Sequence, residues 1–269
     1  MLNMSDAEKR EVLAGIRLFV LDMDGTFYLG DRIIDGSLGF IERLEAAGRR
    51  FIFFTNNSSR TPGMYIEKLA GMGCRIGRDG IMTSGDVAIR YLDSFHRGKA
   101  VYLMGTEALR GDFRRNGIRL VEDAQPDLVV AAFDTELTYR KLELACRHIR
   151  GGAEFLATHP DINCPTETGF IPDCGSFCAA ISASTGRKPL YFGKPFTGTL
   201  EMILSATGFE REEVAFVGDR LYTDVAAGVS NGATGILVLS GETGPDDVAS
   251  SDIKPDAIFS HLGEMAAYI

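Results

Sequence analysis

Asp22 and Asp24 stand two residues apart at the end of the run Ile16-Arg17-Leu18-Phe19-Val20-Leu21, and Gly25-Thr26 follow. Two carboxylates so placed can hold a divalent cation, or divide the work of a nucleophile and a proton carrier. Three more polar clusters follow apolar runs. Thr55-Asn56-Asn57-Ser58-Ser59 comes after Phe51-Ile52-Phe53-Phe54, Gly193-Lys194-Pro195 after Leu190-Tyr191-Phe192, and Gly218-Asp219 through Thr223-Asp224 after Val214-Ala215-Phe216-Val217. The hydroxyls, amides and loop N–H groups of the first suit a phosphate held without added full charge, or simply a turn. Lys194 is a point charge able to reach a phosphoryl group, or an exposed loop lysine. Asp224 fits the first turn of a following helix, where a carboxylate complements the dipole. Asp219 has no such local use.

Charge decides how the clusters combine. Four ionised aspartates gathered in one place repel a phosphate dianion, so the site needs a cation. Mg²⁺ prefers oxygen ligands, takes few carboxylates and accepts substrate phosphate, and Lys194 offsets one further charge. Carboxylate crowding also raises one pKa and leaves an Asp able to carry a proton near neutrality.

The elements that must position these groups alternate strand and helix from the start. A strand at 16–22, apolar at nearly every position, is one buried on both faces of a parallel sheet, and open α/β sheets bind ligands at the carboxyl ends of such strands. A helix at 36–47 follows, then the strand 50–55 and a helix from Thr61-Pro62 to Met72. Gly30-Asp31 between Phe27-Tyr28-Leu29 and Arg32-Ile33-Ile34 makes a tight hairpin beside the paired aspartates. The middle repeats the pattern: strand 100–104, helix 106–116, strand 128–133, helix 138–150, strand 154–158. The stretch 159–176, with Pro160, Pro165, Gly169, Pro172 and Gly175, reads as a long irregular loop of functional kind. Alternation then resumes at 189–194, with a helix at 197–207, strand 214–217, helix 223–231 and strand 235–239. The expected fold class is α/β: a Rossmann-like doubly wound parallel sheet in a discontinuous core, residues 1–92 and 189–269, with an inserted α/β cap over 93–188.

The whole chain bounds the rest. A net charge of −9 over 269 residues excludes the basic stripe of a nucleic-acid partner. No apolar run reaches the ~20 residues of a membrane span, and the N-terminus lacks the apolar region of a secretory signal. Five cysteines without a disulfide spacing point to a reduced, cytoplasmic protein. His159, Cys164, Cys174 and Cys178 match no common zinc-finger spacing. No Gly-x4-Gly-Lys-Ser/Thr stretch exists, so a P-loop kinase is excluded.

Taken in order, Asp22-Met23-Asp24-Gly25-Thr26, Thr55-Asn56-Asn57, Gly193-Lys194-Pro195 and Gly218-Asp219…Thr223-Asp224 resemble the four motifs of the haloacid dehalogenase-like (HAD) hydrolase superfamily. The aspartates two apart resemble its phosphatases. Phe133-Asp134…Leu137-Thr138-Tyr139, Thr158-His159-Pro160-Asp161 and Gly175-Ser176…Thr185-Gly186-Arg187-Lys188-Pro189 resemble the C2-type cap of its NagD-like (class IIA) phosphatases. The resemblance implies Asp22 as nucleophile, forming an aspartyl-phosphate, and Asp24 as the acid that protonates the leaving oxygen and then activates water. It implies Mg²⁺ held by Asp22, the Asp24 carbonyl and Asp219, with Asp224 behind the metal's waters. Thr55, Asn56 and Lys194 would bind the phosphoryl group, and Asn57, His159 and Asp161 would face the substrate. The implied substrate is a small phosphate monoester: a sugar phosphate, nucleoside monophosphate, phosphoglycolate or nitrophenyl phosphate. Homodimerisation through the cap is a further expectation of the resemblance. Two other readings use the same residues: a phosphotransferase or phosphomutase passing the aspartyl-phosphate to a hydroxyl, and a non-enzymatic phospho-receiver, for which the cap has no use.

Overall fold

The computed structural model describes residues 4–166 and 169–269. Its strands, in chain order, are β1 (Leu18–Leu21), β2 (Tyr28–Leu29), β3 (Arg32–Ile33), β4 (Arg50–Thr55), β5 (Ile81–Thr83), β6 (Ala100–Met104), β7 (Arg119–Leu120), β8 (Leu128–Ala131), β9 (Glu154–Ala157), β10 (Asn163–Thr166), β11 (Gly169–Pro172), β12 (Leu190–Tyr191), β13 (Val214–Gly218), β14 (Thr234–Val238) and β15 (Ala257–Phe259). The chain forms two compact units. The first comprises 1–54, 66–82 and 194–269, the second 55–65 and 83–193. Sequence alone suggested divisions after 92 and 188.

The first unit is built on a six-stranded sheet in the order β15-β14-β13-β1-β4-β5. β1 runs parallel to both neighbours, with Leu21 opposite Val217 on one side and Phe53 on the other. Every residue of β1 is buried, which explains why the strand is apolar without alternation. The chain leaves β1 toward β4 and returns on the other side as β13, so the strand order reverses at β1. Ligands of open α/β sheets bind in the crevice at such a reversal. The expected Gly30-Asp31 hairpin forms as β2 and β3, with Leu29 opposite Arg32.

The second unit carries a five-stranded sheet in the order β12-β9-β8-β6-β7. Tyr102, Val129, Phe133, Ile149, Phe155, Cys178 and Ile181 contribute to the core on one side of it. Two expectations are corrected. The stretch 159–176 is not an irregular loop: β10 and β11 pair antiparallel, Asn163 opposite Pro172 and Thr166 opposite Gly169, and a helix begins at Cys174. Prolines do not break this ribbon because both strands are edges, where a missing N–H faces no partner. The tip, 167–168, lies outside the described residues. Leu190-Tyr191 does not resume the first sheet; it pairs with Leu156-Ala157 of β9 in the second. β5, with the helix Ser84–Phe95 that follows it, was not anticipated.

Candidate active site

The reversal at β1 gathers the charged residues of the first unit. Asp22 continues the ladder beyond β1, its N–H donating to the Val217 carbonyl at 2.8 Å. Asp219 follows β13 directly. Asp224 lies in a single π-helical turn, Leu221–Val225, a local widening common at functional sites. Oxygens of Asp22, Asp219 and Asp224 all fall within 4.8 Å of one another. Lys194 enters this group almost completely buried. Its Nζ donates to Asp22 Oδ1 at 2.6 Å, Asp224 Oδ1 at 2.5 Å and the Phe54 carbonyl at 3.3 Å. The peptide joining Lys194 to Pro195 is cis.

The electrostatics follow from burial. Burial pushes the Asp22 carboxyl up to about 7; Lys194 opposes this, while Asp224 and Asp219 add to it. Burial, with Asp224, likewise raises Asp219 to about 6, against the N–H of Glu242. Burial alone would lower the Lys194 ammonium, but Asp22 and Asp224 more than reverse that and hold it charged. Lys194 bridges two of the three carboxylates, and the Arg220 guanidinium, which Asp22 and Asp219 help hold charged, is shared with Glu242; the carboxylates still outnumber these cations and offer acceptor oxygens, as a divalent cation requires.

The backbone around Asp219 is shaped to the same end. A Cβ at Gly241 would stand 2.0 Å from Asp219 Oδ2, and one at Gly25, where φ is +82°, 2.5 Å away. Only bare backbone fits on these two sides, and the Glu242 N–H donates to the same oxygen at 2.7 Å. The donor set and this close cradle fit Mg²⁺. Gly241→Ala should displace the Asp219 carboxylate and raise the divalent-cation concentration for half-maximal activity by about 10–100-fold, the usual cost of disturbing a group that orients a metal ligand. A metal titration identical to wild type would refute this.

Asp24 stands apart. The group of three carboxylates does not include its side chain, which is exposed. Its backbone forms a bridge to Tyr28 at the root of the hairpin. Partial desolvation raises its carboxyl above the usual range, with Lys68 and the Gly30 N–H pulling the other way. Lys68 itself sits 4.1 Å over the Tyr28 ring and 3.7 Å from Asp31, so the hairpin brings a cation beside Asp24.

Within the second unit, the structure joins Asn56 to Asp161: Asn56 Nδ2 donates to both carboxylate oxygens at 3.2 and 3.3 Å. The Asn57 N–H donates to Thr55 Oγ1 at 3.1 Å, and Asn57 Oδ1 accepts from the Ser59 N–H and hydroxyl. Ser58 Oγ accepts from the Phe133 N–H at 3.0 Å and lies 2.9 Å from Thr158 Oγ1. His159 has no exposed surface, and its Nε2 is 2.8 Å from Asp173 Oδ1. Ser84, Thr158 and Asp173 are the partners that sequence reasoning missed. A signal existed for Ser84: Ile81-Met82-Thr83-Ser84-Gly85-Asp86 is a fifth apolar run ending in small polar residues, with a Thr83–Asp86 capping box.

Burial alone would lower His159, but the Asp173 hydrogen bond outweighs it and the imidazole rises to about 9. The folded value lies above the unfolded one of about 6.5, so the pair's stabilisation is complete below that pH and drains as pH rises through about 9. Thermal unfolding of wild type and His159→Gln should therefore show a gap that narrows between about pH 6.5 and 9.5. A gap independent of pH would contradict the assignment.

Comparison with known proteins agrees with this geometry. Residues 19–119 match the family model described as haloacid dehalogenase-like hydrolase, and residues 191–265 a second, HAD-hydrolase-like model. The chain is 35% identical over 244 residues to an acid sugar phosphatase of Staphylococcus epidermidis, covering 91% of this chain and 94% of that one. Among solved structures, 4-nitrophenylphosphatase from Thermotoga maritima matches with a TM-score of 0.92 and 46% identity over 95% of this chain and 98% of its own. NagD from E. coli K-12 matches with a TM-score of 0.86 and 30% identity, over 93% and 98%. The chain belongs to the haloacid dehalogenase-like hydrolases, as a NagD-like (class IIA) member. It is a phosphatase of small-molecule phosphates. No helix among the described residues is long and apolar enough to cross a membrane.

Proposed function

We propose that this phosphatase is Mg²⁺-dependent, takes sugar phosphates and related small monoesters, and works through a phosphorylated Asp22. The observation that carries the reading is the buried Lys194 ammonium bridging Asp22 and Asp224, with Asp219 in the same group of carboxylates. The acid sugar phosphatases among the relatives support the substrate class.

An Asp22 oxygen attacks phosphorus; the ester oxygen leaves and takes a proton from Asp24, whose carboxyl partial desolvation raises above its usual range. Lys194 holds Asp22 in place and lends its charge to the transferring phosphoryl group, which Thr55 and Asn56 also bind. Asp24, now a carboxylate, takes a proton from the water that attacks the aspartyl-phosphate. Inorganic phosphate leaves and Asp22 is restored. Asp22, Asp219 and the Asp24 carbonyl, with Asp224 behind, would hold Mg²⁺, whose charge would let a phosphate dianion approach and would polarise a phosphoryl oxygen.

The test is turnover of a panel of sugar phosphates and nitrophenyl phosphate, with EDTA and with Mg²⁺ restored. Loss on chelation and recovery with Mg²⁺ is the expected result; activity indifferent to EDTA would overturn the metal assignment. Added acceptor alcohols separate hydrolysis from phosphotransfer. A product dominated by the acceptor's phosphate ester, with little inorganic phosphate, would favour a transferase instead.

A further inference from the structure

The turn Thr55-Asn56-Asn57 is gripped by groups the reaction does not use. The peptide between Asn56 and Asn57 is held at both ends. Its carbonyl accepts from Ser84 Oγ at 2.5 Å, and its N–H donates to Thr55 Oγ1 at 3.1 Å. The second bond uses one acceptor lone pair of the Thr55 hydroxyl and leaves its proton available to donate. Whatever orients this peptide therefore orients the hydroxyl proposed to bind the phosphoryl group.

Ser84 is fixed at the first position of its helix by the Thr83–Asp86 capping box. Behind it lies a chain of buried groups. His159 Nδ1 is 3.4 Å from Ser84 Oγ and 3.0 Å from Thr158 Oγ1, and its Nε2 meets Asp173 at 2.8 Å. Asp173 also accepts the Cys174 N–H at 2.5 Å, which ties it to the start of the helix Cys174–Thr185. Ser84, Thr158 and His159 are wholly buried, and Asp173 nearly so. The space is closed: a Cβ on Gly193 would stand 2.6 Å from Asn56 Oδ1 and 2.9 Å from His159 Cβ.

The direction of the hydrogen bonds follows. With Nε2–H given to the Asp173 carboxylate, a protonated His159 presents Nδ1–H to the two hydroxyls. Ser84 then accepts from histidine, and its own proton is committed to the Asn56 carbonyl. A ring lacking that proton would instead offer Nδ1 as a competing acceptor, and the grip on the peptide would loosen. His159, Asp161 and Asp173 also bring ligand atoms within 4.8 Å of one another, but their polar atoms are engaged by these partners and by the Asn56 amide.

We infer that His159, held by Asp173, is a positioning residue that acts through Ser84 on the 56–57 peptide and so sets the orientation of the Thr55 hydroxyl proposed to bind phosphate, without touching substrate. The inference rests on the proposed role of Thr55.

The test is a double-mutant cycle in the full enzyme, read by inhibition with inorganic phosphate and by KM and kcat for nitrophenyl phosphate. Ser84→Ala and His159→Gln should each weaken phosphate inhibition by about tenfold, and the double variant should be no weaker than Ser84→Ala alone, because residues acting in series are not additive. Effects that multiply, or Ser84→Ala at the wild-type value, would overturn the positioning role. Should His159→Gln not fold, Asp173→Asn replaces it in the cycle, and Ser84→Ala decides in either case. Thr55→Val separates the two claims. Unchanged phosphate inhibition in Thr55→Val would overturn the assignment of Thr55 and this inference with it. Weakened inhibition there, with Ser84→Ala unaffected, would overturn the positioning role alone.

Discussion

Asp22→Asn should lower kcat for nitrophenyl phosphate by about 10⁴-fold or more, the scale on which enzymes lose rate when a nucleophile is removed. The amide keeps the shape of the carboxylate and still accepts from Lys194, so binding geometry survives while the attacking oxygen does not. The same substitution should not unfold the protein. A folded-state pKa of about 7, raised by burial, means that the fold prefers Asp22 neutral. Above about pH 7, without metal, the neutral amide should therefore unfold at the same temperature as wild type or higher. Rapid acid quenching after phosphate-labelled substrate should leave label on wild-type protein and none on the variant. Turnover within tenfold of wild type would end the assignment of Asp22.

Lys194→Met is the harsher change for the fold. It removes one member of a buried ion cluster and leaves Asp22 and Asp224 facing each other without the ammonium that bridges them. Breaking such a pair costs about 3–5 kcal/mol, most of it the penalty of stranded charge. The loss should shrink as pH falls from about 8 to 5, because Asp22, already raised by burial, can take a proton and relieve the repulsion. Activity should fall by about 10²–10³-fold, the usual cost of removing one preorganised group from a transition-state charge. Denaturant unfolding at the two pH values, with kcat/KM on the fraction that stays folded, measures both. A stability loss that does not depend on pH would mean that the lysine acts by packing rather than charge.

The chemistry of this chain was legible where it is written locally. β1 announces itself by continuous apolar character, and each polar cluster sits within a few residues of the strand that delivers it. Lys194 was legible as a cation after an apolar run, though that run belongs to the second sheet: β12 is two residues long, and its pairing with Leu156-Ala157 depends on a partner far away in sequence. The ribbon β10–β11 escaped notice because proline and glycine mark loops statistically, while an edge ribbon tolerates both. His159 shows the sharpest limit. The resemblance implied a side chain facing substrate; in the structure the imidazole is buried against Ser84 and Asp173. Asn56 and Asp161 meet across 105 positions of sequence, a separation no periodicity reveals.

The Lys194 bridge has a consequence for the order in which ligands arrive. A tethered ammonium between two carboxylates works like the fixed ion of an exchange resin: the pocket is already partly neutralised before anything binds. Orthophosphate alone meets a surface that is still negative and gains little. A divalent cation alone meets carboxylates whose charge the lysine already shares. Each ion improves the site for the other, so reciprocity of binding free energies makes the two a cooperative pair. On the proposed metal dependence, product inhibition should be weakest where the divalent cation is scarce and strongest where it is abundant.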